Sequence, residues 1–281
     1  MNNIAKKYIF MVMFLLFAII LGYISGVCLA KKTGRALDDK VVAFRVGVRK
    51  DYVDYDLLSM LNYMKCKYEK EGYEVKEYAY EGDLYPTRLD NAGINLFIRG
   101  DFVSYDKRVY EKAHNIYFVQ RFAGGYIEEF RNFDEYLSIQ KNLINGAKQK
   151  GVNVGYLESG SCEKENLDFT DAKNIIYIYE IENKYTISRV NEIKNVKVFS
   201  TMEFAKLSEN ERENELRKAK VVVFDRDLIR FTEKDYVPYA VYDLLSYGKK
   251  VITNAYIETK LPEGVIRFSD VNEMIYFMKK Y

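Results

Sequence analysis

The sequence predicts an α/β protein with two parallel sheets, one in each half of the chain beyond its N-terminal segment. Three observations carry this. Apolar runs of strand length alternate with stretches whose apolar residues recur at helical spacing, the pattern of βαβ units. Glycines fall just past the helical stretches, at Gly72, Gly151 and Gly248, where left-handed helix ends form. A polar segment from Ser161 to Thr170 separates the two series. The expected division is 1–35 as anchor and flank, 36–160 as a first domain, 161–171 as linker and 172–281 as a second domain.

In chain order, Val41–Val48 reads as a strand, and Asp56–Tyr68 as a helix with Leu57, Leu58, Leu61 and Met64 on one side. Tyr73–Tyr80 alternates as a strand, and Ile94–Ile98 and Asn115–Val119 are short apolar strands. Asp134–Lys150 reads as a helix, followed by a strand at Val152–Leu157. In the second series, Asn174–Tyr179, Val196–Phe199, Lys220–Phe224, Lys249–Thr253 and Val265–Phe268 are strands. Ser208 and Glu211 form a capping-box signature opening a helix to Lys218. Val237–Tyr247 is helical, and Ser269 or Asp270 caps a last helix.

The stretch Lys220–Asn254 carries the most specific signal. A β-branched strand leads through a loop to a helix, a glycine and another apolar strand. Its acids are spaced as Asp235-x7-Asp243, and the end reads Asp243-Leu-Leu-Ser-Tyr-Gly248-Lys-Lys-Val-Ile252. This resembles the sugar-nucleotide half of the two-Rossmann (GT-B) glycosyltransferases, with their Glu-x7-Glu and "Glu-Ala-Leu-Ala-x-Gly-x-x-Val-Ile". Among these it is most similar to the spore-coat-maturation type and the group 1 C-terminal domain. The family's Arg position is Ala240 here, and both acids are the shorter Asp. Lys150-Gly-Val-Asn-Val-Gly-Tyr-Leu-Glu-Ser-Gly160 also resembles the way the first domain of such enzymes ends.

The resemblance implies two Rossmann-like domains in GT-B architecture and a nucleotide-sugar donor. It implies Asp243 as the ribose acceptor and Asp235 as the acid facing the donor sugar. Tyr239, Tyr242 and Gly248 fall in the matching block, and Arg189 follows the second domain's first strand. That strand leads into Glu180 and Glu182 rather than a glycine loop. Read from the residues themselves, Arg226 follows a strand at the edge where α/β sheets bind ligands and offers a charged clamp for phosphate. The helix start near Tyr236–Tyr239 presents free backbone N–H groups to an anion. Asp101, after another strand, is a candidate base for an acceptor hydroxyl. No cofactor is required in this reading. A divalent ion enters only under the alternative in which Asp225-Arg226-Asp227 is a metal-binding Asp-x-Asp of the GT-A type.

Composition bounds the rest. At 48% hydrophobic and 30% charged residues, the chain folds rather than staying disordered. A net charge of +2 gives no basic excess, so nucleic acid is not an expected partner. One histidine, His114, and three cysteines without metal spacing argue against a zinc site. Cys28, Cys66 and Cys162 are read as free thiols; nothing in the sequence supports a Cys66–Cys162 bridge.

Tyr8 to Ala30 carries no charge. At about 1.5 Å per residue, a helix of that length crosses a hydrocarbon core of about 30 Å. The run exceeds a signal-peptide apolar region, so an uncleaved single-pass anchor is expected. Lys31, Lys32, Arg35, Lys40, Arg45, Arg49 and Lys50 outnumber Lys6 and Lys7, which places the body in the cytoplasm. The expected function is a membrane-anchored glycosyltransferase acting on a glycan, lipid or protein acceptor. The alternatives are a catalytically degenerate relative that only binds, and an exported α/β binding protein.

Overall fold

A computed structural model of the chain describes residues 37–47, 53–79, 91–98, 112–118, 133–139, 141–164, 172–226, 237–254 and 261–281. The chain divides into the units Met1–Asp38 and Asp39–Tyr281, and the second of these builds both sheets. The expected span at 8–30 lies outside the described residues. Among those described, no helix is long and apolar enough to cross a membrane.

The first sheet is built from β1 (Asp38–Val46), β2 (Glu74–Ala79), β3 (Ala92–Ile98), β4 (His114–Phe118), β5 (Glu135–Ser138) and β6 (Gly155–Tyr156), in the order β2-β1-β3-β4-β5-β6. The pairs β1/β2, β3/β4, β4/β5 and β5/β6 are parallel. Helix α1 (Tyr55–Lys70) covers one face through Leu57, Met60, Leu61 and Met64. Helix α2 (Lys141–Gln149) packs Leu143 and Ala147 with Tyr136 and Val154.

The second sheet holds β7 (Asn174–Tyr179), β8 (Val196–Ser200), β9 (Ala219–Asp225), β10 (Lys250–Thr253) and β11 (Val265–Arg267), in the order β11-β10-β9-β7-β8 and parallel throughout. Helices α4 (Thr201–Lys206), α5 (Glu209–Lys218) and α6 (Tyr239–Ser246) supply Phe204, Leu216 and Leu244 to one face. Helices α3 (Lys184–Asn191) and α7 (Val271–Lys280) supply Val190, Met274 and Met278 to the other. Val221, Val222, Val223 and Phe224 are therefore buried on both sides, which explains their unbroken apolar run. The architecture is α/β with two parallel sheets, consistent with two Rossmann-like domains.

The glycine stops behave as the sequence predicts. After α6, Gly248 takes φ 75°. Its N–H bonds to Leu245 O at 2.8 Å and the Lys249 N–H to Leu244 O at 3.3 Å, a Schellman ending that needs a residue tolerating left-handed backbone. The capping box at Ser208 and Glu211 is formed, and Asp270 rather than Ser269 caps α7.

Residues 134–150 correct an expectation. The stretch is not one helix: its front is strand β5, paired with β4 and β6, and only Lys141–Gln149 is helical. Pairing on both sides outweighs the weak helical preference of Glu-Tyr-Leu-Ser, and it buries Tyr136 and Ser138 on one face. Edge strand β6 is shorter than expected because Val152 closes α2, its N–H bonding to Ala147 O at 3.0 Å.

Lys249 is buried, and its ammonium donates to Ala219 O at 2.6 Å. Burial pushes its pKa from 10.5 down to about 7. Between these values the unfolded chain binds a proton that the folded chain does not. Stability therefore rises with pH through that window and falls toward neutrality, by at most ~1.4 kcal/mol per pH unit. Lys249→Met is expected to flatten this slope in urea unfolding curves taken between about pH 7.5 and 9.5.

Candidate functional site

Both sheets have a topological switch point, where the strand order reverses; sheets of this kind bind ligands outside the carboxyl ends of their strands there. In the first sheet it lies between β1 and β3, closed by Gly47 N–H bonding to Ile98 O at 2.8 Å. Arg99 and Asp101, which follow β3 in sequence, and Gln120-Arg121, which follow β4, lie outside the described residues.

In the second sheet the switch point lies between β7 and β9, and its residues are described. Tyr179 and Asp225 end the two strands, and the Glu180 N–H bonds to Asp225 O at 2.9 Å. Just beyond them, Arg226 Nε stands 3.7 Å from Glu180 Oε2. The Arg226 side chain is 9% exposed and that of Glu180 24%. Asn254, at the end of β10, organises the turn. Its amide donates to Asp225 Oδ1 at 2.7 Å and to Arg226 O at 2.9 Å, and its Oδ1 accepts from the Arg226 N–H at 2.8 Å. The Tyr177 hydroxyl donates to Asp225 Oδ2 at 2.6 Å. Burial raises the Asp225 carboxyl above its ordinary value, opposed by the bonds from Tyr177 and Asn254. Both Asp225 oxygens are thus engaged within the protein. Asp227, the other acid of the Asp-x-Asp alternative, lies outside the described residues.

A second polar cluster sits where α1 meets α6. Asp243, 5% exposed, accepts from the Tyr55 hydroxyl at 2.7 Å and pairs with Lys164 Nζ at 3.2 Å. Lys164 also donates to the Tyr247 hydroxyl and lies 3.7 Å from Glu209. Burial opposes the Lys164 charge, yet Asp243 and Tyr247 hold its pKa above the ordinary value. Burial, with Asp243 adding to it, drives the Tyr55 hydroxyl well above the ordinary value. At the start of α6, where Pro238 supplies no side-chain cap, Asp56 Oδ1 accepts the Ala240 N–H at 3.0 Å.

The predicted site residues therefore separate. Asp243 and Tyr239 lie in the α1–α6 seam, and Tyr239 is 1% exposed within the first sheet's core. Tyr242 is half-buried on α6, its hydroxyl raised by burial and by nearby Tyr156 and Glu158. Gly248 ends α6 just before the amino end of β10, at the opposite edge of the sheet from Asn254. Arg189 is half-buried on α3, on the sheet face opposite α6, bonded to the Tyr185 hydroxyl at 3.0 Å and to Asn272 at 3.5 Å. Among the described members of this set, only Arg226 stands at the second switch point. Asp235 and Asp101 lie outside the described residues. Reading the sequence missed Asn254, Glu180 as an ion-pair partner, and Tyr55, Asp56 and Lys164. For Asn254 a signal existed, because a polar residue directly after an apolar strand falls at the ligand edge of such sheets.

No family model matches this chain, and no curated protein does. Among solved structures, an α-glucosyltransferase in complex with UDP and a 13-mer DNA containing a central A:G mismatch superimposes with a TM-score of 0.54 at 9% identity, covering 85% of this chain and 89% of that one. A glycosylation-associated protein complex (Gap123) from Streptococcus agalactiae aligns at TM-score 0.41 and 13% identity, over 67% of this chain and 47% of that one. The accessory secretory protein 1, 2 and 3 complex of Streptococcus pneumoniae aligns at TM-score 0.36 and 14% identity, over 78% and 49%. The first of these shares its fold with this chain over most of both lengths.

Proposed function

We propose that this protein is a glycosyltransferase of GT-B type that takes a nucleoside-diphosphate sugar at the second sheet's switch point. The sugar passes to a glycan, lipid or protein acceptor on the side of the first sheet. The observation that carries the reading is Arg226, held by Asn254 at the crevice where α/β sheets bind nucleotides. A guanidinium there matches the charge and fork geometry of a diphosphate. The fold shared with an enzyme solved with UDP supports the same reading. Asp101 as base on the acceptor and Asp235 toward the donor sugar complete it, with no metal required.

A second reading, a relative that binds without transferring, is favoured by one specific feature. Asp243 and the start of α6, which would serve ribose and phosphate, are engaged by Tyr55, Lys164 and Asp56. In either reading, residues 8–30 are proposed to anchor the body on the cytoplasmic side, which phosphatase fusions at the C-terminus test.

The proposal is tested by thermal shift of the full chain with nucleoside diphosphates and their sugar conjugates, with and without Mg²⁺. A ligand at 100 times its Kd stabilises by ~2.7 kcal/mol. One base class is expected to shift the midpoint, and Arg226→Gln to weaken that ligand by roughly tenfold or more. Binding without turnover of the sugar conjugate selects the second reading. No shift with any nucleotide overturns the first reading and favours the second in the form that binds a partner or glycan.

A further inference from the structure

Residues 157–164 form a strap across α1. The Leu157 N–H bonds to Ser138 O at 2.8 Å, where the strap leaves the first sheet. Gly160 then lies against Tyr63, so close that a Cβ there would stand 2.9 Å from the ring. Cys162 Sγ donates to Asn62 O at 3.3 Å. Asn62 lies one helical turn before Cys66 on α1, so the turn that receives Cys162 also presents the Cys66 side chain. The Cys66 thiol is near enough to add to the effect of burial in raising the Cys162 pKa. Both are unbridged and half-buried. Two positions further on, Lys164 reaches Asp243 and Tyr247 on the α6 side.

We propose that Cys66 and Cys162 are a reversible dithiol–disulfide pair that staples the strap to α1. The oxidant is a small-molecule disulfide such as oxidised glutathione. Exchange starts at one of the two thiols, here Cys66. Its thiolate attacks one sulfur of the small disulfide. A mixed disulfide forms and one small thiolate leaves. The Cys162 thiolate then attacks the Cys66 sulfur; the protein S–S bond forms, the mixed bond breaks, and the second small thiolate leaves. The protein thiols lose two electrons and two protons, and the small disulfide is reduced to two thiols. The bridge closes a long loop, which restricts the unfolded chain and holds Lys164 against Asp243 and Tyr247.

The test is thiol trapping of the full chain equilibrated in graded mixtures of reduced and oxidised glutathione, read by peptide mass spectrometry. A linked peptide joining Cys66 to Cys162 is expected in the folded chain, at an oxidised-glutathione fraction roughly tenfold or more below that needed in urea. Cys162→Ser is expected to stop at a glutathione adduct on Cys66 in place of the bridge. Recovery of both residues as separate thiols or separate adducts in every mixture overturns the proposal. So does a bridge that forms no more readily in the folded chain than in urea, or one made to Cys28 instead.

Discussion

Asp243→Ala is expected to destabilise the body by about 3 kcal/mol, the range for removing one member of a buried ion pair. The carboxylate accepts from the buried Tyr55 hydroxyl and neutralises Lys164, whose side chain is 15% exposed. Its loss leaves a buried hydroxyl without this acceptor and an ammonium without this counter-charge. Tyr55→Phe removes only the hydroxyl and is expected to cost about 1–2 kcal/mol. Because the two groups share one bond, the double variant is expected to lose less than the sum of the single losses. Urea unfolding of the four proteins in that cycle measures the coupling. Additive losses would show that the bond contributes nothing to holding α1 on α6.

Tyr239→Ala is expected to be costlier still, about 3–5 kcal/mol, as for other large aromatics truncated in a core. The two halves exchange tyrosines across the seam. Tyr239 leaves α6 to pack among Leu57, Met60, Leu61 and Met64 of the first sheet's core, with its ring 5.7 Å from Tyr63. Tyr55 leaves α1 to pack in the second sheet's core, edge-on to Phe204 at 4.8 Å. Truncating either ring opens a cavity in the core of the opposite half. Calorimetry checks this: Tyr239→Ala is expected to lower the unfolding midpoint of the first sheet's core as well as the second's. A drop limited to the second half would contradict the exchange.

This seam is the least legible part of the molecule. Tyr55 and Asp243 are 188 positions apart, and no local pattern pairs them. Asp243 carries a helical position and a family-like spacing, both of which read as an exposed or ligand-facing acid. Only the approach of α1 and of Lys164 shows that its oxygens are engaged within the fold. Local signals serve well where local physics decides the outcome. The β-branched run of β9, the glycine at 248 and the box at Ser208 and Glu211 all form in place. A second box, Ser200 with Glu203, is equally present in the sequence and opens α4. It escapes a periodicity reading because α4, at Thr201–Lys206, is too short to show helical spacing. Residues 135–138 fail for the opposite reason, since their partners in β4 and β6 lie far away in sequence.

The central claim is that a nucleoside diphosphate binds at the second sheet's switch point, and hydrogen exchange on the full chain tests it most directly. With a saturating nucleoside diphosphate, slowed exchange is expected in the peptides that hold Glu180, Arg226 and Asn254, and Arg226→Gln is expected to remove that protection. Protection confined to the first sheet, or none at a concentration that shifts the thermal midpoint, would contradict it.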